Sequence, residues 1–235
     1  MIDPRPAVPR QLPLVLDHAP ASARADLVVG DANRAAVAMI DRWPDWPATV
    51  LVVAGPPGSG KTHLGRAWAE MADASILDAG RLSAVDPVEI ARRGAFIDDA
   101  DAAGLDEAGL FHLVNAARGA GTALVLAARR FPAAWGVSLP DLASRLRAAA
   151  LVEIAEPDDA LLSAVIVKLF ADRQVEVEPH VVQFLVRRIE RSVATAAALV
   201  DRLDRAALEE KSRITRVLAA RTIGTLDAGQ SELDV

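Results

Sequence analysis

Residues 49–70 read TVLVVAGPPGSGKTHLGRAWAE, an apolar run, a glycine-rich loop and a helical stretch in direct succession. The loop Gly55, Pro56, Pro57, Gly58, Ser59, Gly60, Lys61, Thr62 matches the phosphate-binding pattern G-x-x-x-x-G-K-[ST] and stands where that pattern has physical meaning, between a strand and a helix. Glycines allow the backbone N–H groups to turn inward around an anion, and the following helix N-terminus adds partial positive charge. Lys61 is the candidate cation for β- and γ-phosphates, and the Thr62 hydroxyl is a candidate Mg²⁺ ligand. His63 follows in the first turn of the helix. An ordinary tight turn would use the glycines but has no need of Lys-Thr after them.

Working outward, four more short apolar runs alternate with helical patterns: Ser75 to Asp78, Ala95 to Asp98, Thr122 to Ala127 and Leu151 to Ile154. Leu110, Leu113, Val114 and Ala117 mark the clearest intervening helix, and the alternation predicts an α/β fold with a five-stranded parallel sheet covered on both faces. A helix is expected from Asn33 to Arg42, stopped by the Trp43 to Pro47 segment WPDWP. Trp43 and Trp46 read as a packed corner or as a stacking platform for a base. After Pro157 the strands stop. Asp158 and Asp159 can cap a helix carrying Leu161, Leu162, Val165, Ile166, Leu169 and Phe170, and two more amphipathic helices follow from about Pro179 and Ser192. The expected organisation is an extended proline-rich arm at 1–26, an α/β subdomain at 27–156, a small all-helical subdomain at 157–223 and a flexible tail at 224–235.

The third apolar run ends in Phe96, Ile97, Asp98, Asp99, which delivers two carboxylates to the edge of the sheet where open α/β folds bind ligands. Asp98 is the candidate Mg²⁺ ligand, through water, and Asp99 the candidate group that orients an attacking water. Either carboxylate could instead cap the loop around Asp101 and Gly104.

The chain has 235 residues, 26 Lys+Arg against 32 Asp+Glu, a net charge of −6 and 52% hydrophobic residues, so it can bury a core and is not a disordered chain. It has no cysteine, which excludes disulfides, thiol nucleophiles and cysteine-ligated metal sites. The acidic balance argues against direct DNA gripping as its main task. His18, His63, His112 and His180 form no pair with metal-ligand spacing. Neither a secretory leader nor a membrane-length apolar run is present, so the expected location is the cytoplasm, with no membrane partner.

A phosphate-binding loop, an acidic strand end, a further strand and then an all-helical piece together resemble the AAA+ nucleotide-binding module. The likeness narrows further. Leu27 to Ala36, LVVGDANRAA, resembles the start of the ATPase domain of the bacterial initiator DnaA, and Ser138 to Leu146, SLPDLASRL, resembles the arginine-finger segment of the Hda family of DnaA-related regulators. This resemblance spans roughly residues 11 to 223 and implies an AAA+ P-loop domain followed by a helical lid. It implies that Leu27, Val28 and Val29 lie against the adenine, that ADP or ATP is bound with Mg²⁺, and that Arg145 is an arginine finger acting on a neighbouring subunit. On residue type alone, Arg145 could equally form a surface ion pair with Asp141 at i−4. Two departures concern the sensors that read the γ-phosphate. A T-x-D-R segment is replaced by Ala127, Ala128, Arg129 and Arg130, and Ala194 stands at the expected place of the second sensor arginine, with Arg191 one turn earlier as a substitute. Their loss favours ADP over ATP and implies weak intrinsic hydrolysis.

In the arm, Gln11 to Leu16, QLPLVL, resembles the peptide by which Hda proteins bind the sliding clamp of the replicative polymerase, with Gln11, Leu12, Leu14 and Leu16 as the contact residues. A leucine-rich arm packed back on its own domain is the alternative. The implied partners are the clamp and DnaA, with DNA reached only through the clamp and a homo-oligomer possible. The resemblance thus implies a regulator of replication initiation that stimulates ATP hydrolysis by DnaA. Two other readings remain open. A DnaA-like initiator or loader would need a DNA-binding domain, for which too little chain follows Arg205, and a small-molecule kinase would leave the helical piece unexplained.

Overall fold

A computed structural model of the chain describes residues 24–231. Five strands, β1 (Val50–Ala54), β2 (Ser75–Asp78), β3 (Ala95–Asp98), β4 (Leu124–Ala128) and β5 (Ala150–Glu153), form one parallel sheet in the order β2-β3-β4-β1-β5. The expected sheet is therefore observed, with strand ends shifted by one or two residues. β1 and β4 are buried along their whole length, because helices cover both faces and leave no water-exposed side for polar residues.

Side chains alternate across the sheet, and the two resulting faces carry different helices. Leu51, Val53, Phe96, Val125 and Ala127 pack with α1 (Arg34–Asp41) and α2 (Lys61–Ala72). Val50, Val52, Ile97, Leu124 and Leu126 pack with α4 (Glu107–Ala120) and α5 (Pro140–Arg147), while the short α3 (Pro87–Ile90) adds its Ile90 at the edge. Trp43 and Trp46 are the packed corner, since both ring systems rest on Trp68 of α2, at 6.5 and 5.6 Å between centroids, and the Trp46 indole N–H donates to the Met39 carbonyl at 2.6 Å.

The helical subdomain has α6 (Asp159–Asp172), α7 (Pro179–Val186), α8 (Val193–Glu210) and a further helix, α9 (Arg216–Ser231). Asp158 caps α6 by accepting from the Leu161 N–H at 2.7 Å, and Ser192 caps α8 through the Thr195 N–H at 3.1 Å. The sequence predicts three lid helices and a tail from Gly224. α9 instead runs on to Ser231, and its Leu218, Ala219 and Ile223 complete the core made by Phe170, Leu185 and Leu199. Its polar and glycine-containing second half carries no helical signal of its own, so packing of the first half is what sets the helix there. Of the arm, residues 24–26 form a 3-10 turn in which Arg24 pairs with Asp41 and Asp26 with Lys168 of α6, while Gln11, Leu12, Leu14 and Leu16 lie outside the described residues. Among the described residues no helix is long and apolar enough to cross a membrane.

Candidate nucleotide site

The glycine loop leaves β1, the strand second from the β5 edge, and enters α2 at Lys61. Gly60, the residue before the helix, sits at φ +100°, and Gly58 sits at φ +71°, both in the region that favours glycine. A side chain at Gly58 would also overlap Ser192 of the lid. The loop is tied to the sheet by the Gly55 N–H, which donates to Ala128 of β4 at 3.2 Å, and to the lid by the Val193 N–H, which donates to Gly58 at 2.7 Å. Ser59 is buried and turned inward, its hydroxyl without a partner.

Lys61 is buried, and its Nζ donates to the carbonyls of Gly55 at 2.8 Å and Pro56 at 2.7 Å. Burial lowers its pKa from the ordinary lysine value, an effect opposed by the carboxylates of Asp98, Asp99 and Asp101 and reinforced by the Arg129 cation. The amine, the two acidic residues at the end of β3 and the β4 exit thus share one electrostatic neighbourhood. Thr62 is half-buried beside Lys61 in the first turn of α2. Asp98 falls on the α2 face of the sheet by alternation with Phe96, and its Oδ1 accepts from the Asp99 N–H at 3.0 Å. Asp99 is exposed at φ +47°. A glycine loop entering a helix N-terminus, a buried amine and a carboxylate on the α2 face of the sheet fit a nucleoside phosphate with Mg²⁺.

Leu27, Val28 and Val29 precede α1, with Leu27 packed on the core shared by α1 and α2 and Val29 exposed. The Asn33 side chain closes this turn, donating from Nδ2 to the Val28 carbonyl at 2.8 Å and accepting the Gly30 N–H at 2.9 Å. Gly30 in turn lies against Leu161 of α6. His63 is partly buried near Asp26 and Lys168, and burial lowers its pKa below the usual histidine value.

Arg145 stands apart from this cluster. α5 buries Leu142 and Leu146 against the sheet face opposite α2, and Arg145 emerges half-exposed between them. Among the described residues it forms no ion pair, so the bridge to Asp141 is not made. The N-terminus of α5 is held by Glu107, whose carboxylate accepts from the Ser138 N–H at 2.9 Å, the Ser138 hydroxyl at 2.8 Å and the Leu139 N–H at 2.8 Å. The Ser138 N–H is the largest influence holding Glu107 below the usual carboxylate range. Ala194 lies exposed in the first turn of α8, next to the Val193 contact with the loop. Arg191 is engaged elsewhere, 3.1 Å from Asp159 of α6.

Two residues escaped the sequence reading. Asp101, its side chain 4% exposed, accepts from the backbone N–H groups of Arg129 at 3.0 Å and Arg130 at 3.2 Å and so fixes the exit of β4. Glu107 clamps α5 from α4. Each acts across about thirty residues of chain, and only an Asp or Glu beside a loop marks them in one dimension.

The strand order, the glycine loop on the inner strand and the helical lid are the AAA+ fold. Residues 161–218 match the model of the Hda lid domain. The lid segment is thus similar to the lid domain of Hda, and it stands on a fold similar to that of DnaA. It is similar to domain III of the Thermotoga maritima replication initiation protein DnaA, with a TM-score of 0.74, 18% identity and coverage of 88% of this chain and 97% of that one. DnaA from Aquifex aeolicus, solved with AMPPCP bound, gives a TM-score of 0.65 at 19% identity over 80% of this chain and 66% of that one. A Haemophilus influenzae protein described as uncharacterized is 26% identical over 224 residues, which is 88% of this chain and 95% of its own length.

Proposed function

We propose that the chain is a cytoplasmic regulator of replication initiation that binds adenine nucleotide and acts on DnaA by supplying Arg145 to DnaA's bound ATP. The observation that carries this reading is the separation of two assets within one AAA+ chain. Lys61, Thr62 and Asp98 lie near one another, while Arg145 has no ion pair among the described residues and stands on the opposite side of the sheet, where its guanidinium could meet another molecule. A guanidinium at a transferred phosphoryl group spreads charge over its equatorial oxygens.

The chain's own site is read as a binding site. Loop N–H groups and Lys61 would hold the phosphates, and Thr62 and Asp98 are the residues that would hold Mg²⁺, which would supply neutralising positive charge. Asp99 is the proposed residue for orienting a water. Ala127, next to last in its strand, and exposed Ala194 each offer only a methyl group and no polar atom to read a γ-phosphate, which supports ADP as the favoured nucleotide. Leu27 to Val29 are the proposed adenine contact. Clamp binding by Gln11, Leu12, Leu14 and Leu16 rests on the sequence motif alone and would bring the regulator to DNA through the clamp.

Single-turnover hydrolysis of ATP prebound to DnaA, on clamp-loaded DNA, tests the proposal. Wild-type chain should accelerate it and Arg145→Ala should not, with a loss up to about 10³ where the finger dominates. Equal rates for the two proteins would remove Arg145 from the mechanism, and no stimulation by wild type would remove the regulatory reading.

A further inference from the structure

Positive charge gathers on one face of the lid, although the chain as a whole carries −6. Residues 187–188 follow α7 and residues 211–216 lead into α9, and together they hold Arg187, Arg188, Lys211, Arg213 and Arg216 with no acidic residue among them. All five are exposed, and none forms an ion pair among the described residues.

Two of these cations are held in place by a single ring. The Arg188 guanidinium carbon lies 3.9 Å from the centroid of Phe184, and that of Arg216, at the start of α9, lies 4.8 Å from the same centroid. The two charges therefore sit within about 9 Å of each other, and stacking on the ring leaves their N–H edges available. A cavity of about 330 Å³ opens beside them, lined by Phe184, Arg188, Ala220, Ile223 and Gly224. This gathering of charge works against the fold. Like charges repel at that separation, and Arg216 in the first turn of α9 opposes the positive end of the helix dipole, where an acidic residue would be favoured. A bound anion relieves both repulsions.

The surroundings select the kind of anion. Phe184 and Ile223 are each 8% exposed, so the cavity offers a peptide little apolar surface on which to anchor. Five cations without counter-acids instead suit a strand of regularly spaced negative charges. We propose that this face of the lid binds the phosphodiester backbone of nucleic acid, with Arg188 and Arg216 as the central contacts and Arg187, Lys211 and Arg213 beside them. Guanidinium edges on phosphates read no base, so the contact is independent of sequence. The acidic remainder of the chain confines it to this patch.

Fluorescence anisotropy of a labelled DNA duplex of about 20 base pairs, titrated with the full chain at about 50 to 200 mM salt, tests the proposal. Wild type should bind, and its affinity should fall steeply as salt rises. Arg188→Ala combined with Arg216→Ala should weaken binding about tenfold at the lowest salt and reduce the slope of log affinity against log salt by about two. Arg187→Ala combined with Arg213→Ala leaves the Phe184 stack in place, and it should reduce the slope in the same way. Saturating ADP should leave DNA affinity unchanged, because the phosphate loop is a separate site. Polyglutamate of matched total charge serves as the competing probe and should displace the duplex poorly. Absence of binding by wild type, an unchanged slope in either double variant that melts like wild type, displacement by ADP, or equal competition by polyglutamate would each overturn the assignment.

Discussion

The backbone N–H of Val193, at the start of lid helix α8, donates to the carbonyl oxygen of Gly58 in the phosphate-binding loop at 2.7 Å. Two segments separated by more than a hundred residues therefore share one hydrogen bond at the site itself. Ser192, the cap of α8, stacks directly over Gly58, so lid and loop cannot shift independently at this point. A change in the loop is felt at the N-terminus of α8, where Ala194 sits.

Gly58→Ala follows from that contact. The residue is at φ +71°, and an added Cβ would lie 2.8 Å from the Ser192 Cβ as well as overlapping its hydroxyl. Backbone strain alone costs about 1–3 kcal/mol, and the lid must also move. The variant should melt earlier and lose nucleotide affinity together. Thermal melts with and without ADP check this, and an unaltered melting temperature would show that the lid contact carries no stability.

Wild-type protein should bind ADP at least as tightly as ATP, and Lys61→Ala should abolish both. The Nζ of Lys61 is held by the carbonyls of Gly55 and Pro56, ready to turn to phosphate, while neither Ala127 nor Ala194 adds a polar contact for the third phosphate. Competition titrations read the ratio. A preference for ATP of about tenfold, or 1.4 kcal/mol, would mean that another residue reads the γ-phosphate more strongly than the two alanines forfeit.

Gln11→Ala combined with Leu14→Ala should eliminate binding to the sliding clamp and leave nucleotide affinity intact, because the motif and the phosphate loop are separate in sequence and chemistry. A clamp pulldown alongside ADP titration measures both. Retention of clamp binding by the double variant would exclude QLPLVL as the tether.

Acid should loosen the finger helix through Glu107. Hydrogen bonds from Ser138 and Leu139 hold this carboxyl below its ordinary value of 4.5 in the folded chain, so the stability it contributes is full above that value and is lost as pH falls through the lower folded value. Asp106, which caps α4 and is bound by Ser83, shifts in the same direction from 3.8. Glu107→Gln should thus lower the melting temperature at pH 7, and the gap to wild type should close as pH falls from 4.5 through the lower folded value. A gap that persists unchanged at pH 3 would show that the charge of Glu107 is not what holds α5.

Local sequence was sufficient for the sheet and the loop. Alternation of apolar runs with helical periods needs no tertiary information to be read, and Gly55 to Thr62 announces itself because glycines and Lys-Thr serve a phosphate and no other local purpose. Strand edges were off by a residue or two, since hydrogen bonding to neighbours, such as Leu124 opposite Val50, sets where a strand begins. α9 escaped because its amphipathic signal is short and its helix rests on packing of Leu218 and Ile223 against the lid core.

Sequence by itself determined the parallel α/β class, the phosphate loop, the acidic end of β3 and the presence of a helical lid, all of which are written in residues that lie next to one another. Tertiary structure alone decided that Arg145 stands on the far side of the sheet from Lys61 without an ion pair among the described residues, that Arg191 is taken by Asp159, that Asp101 grips the exit of β4 and that Val193 touches Gly58. Each of these depends on which distant groups meet in space. A charged side chain carries the same letter whether it is free or paired, and only folding assigns it a partner.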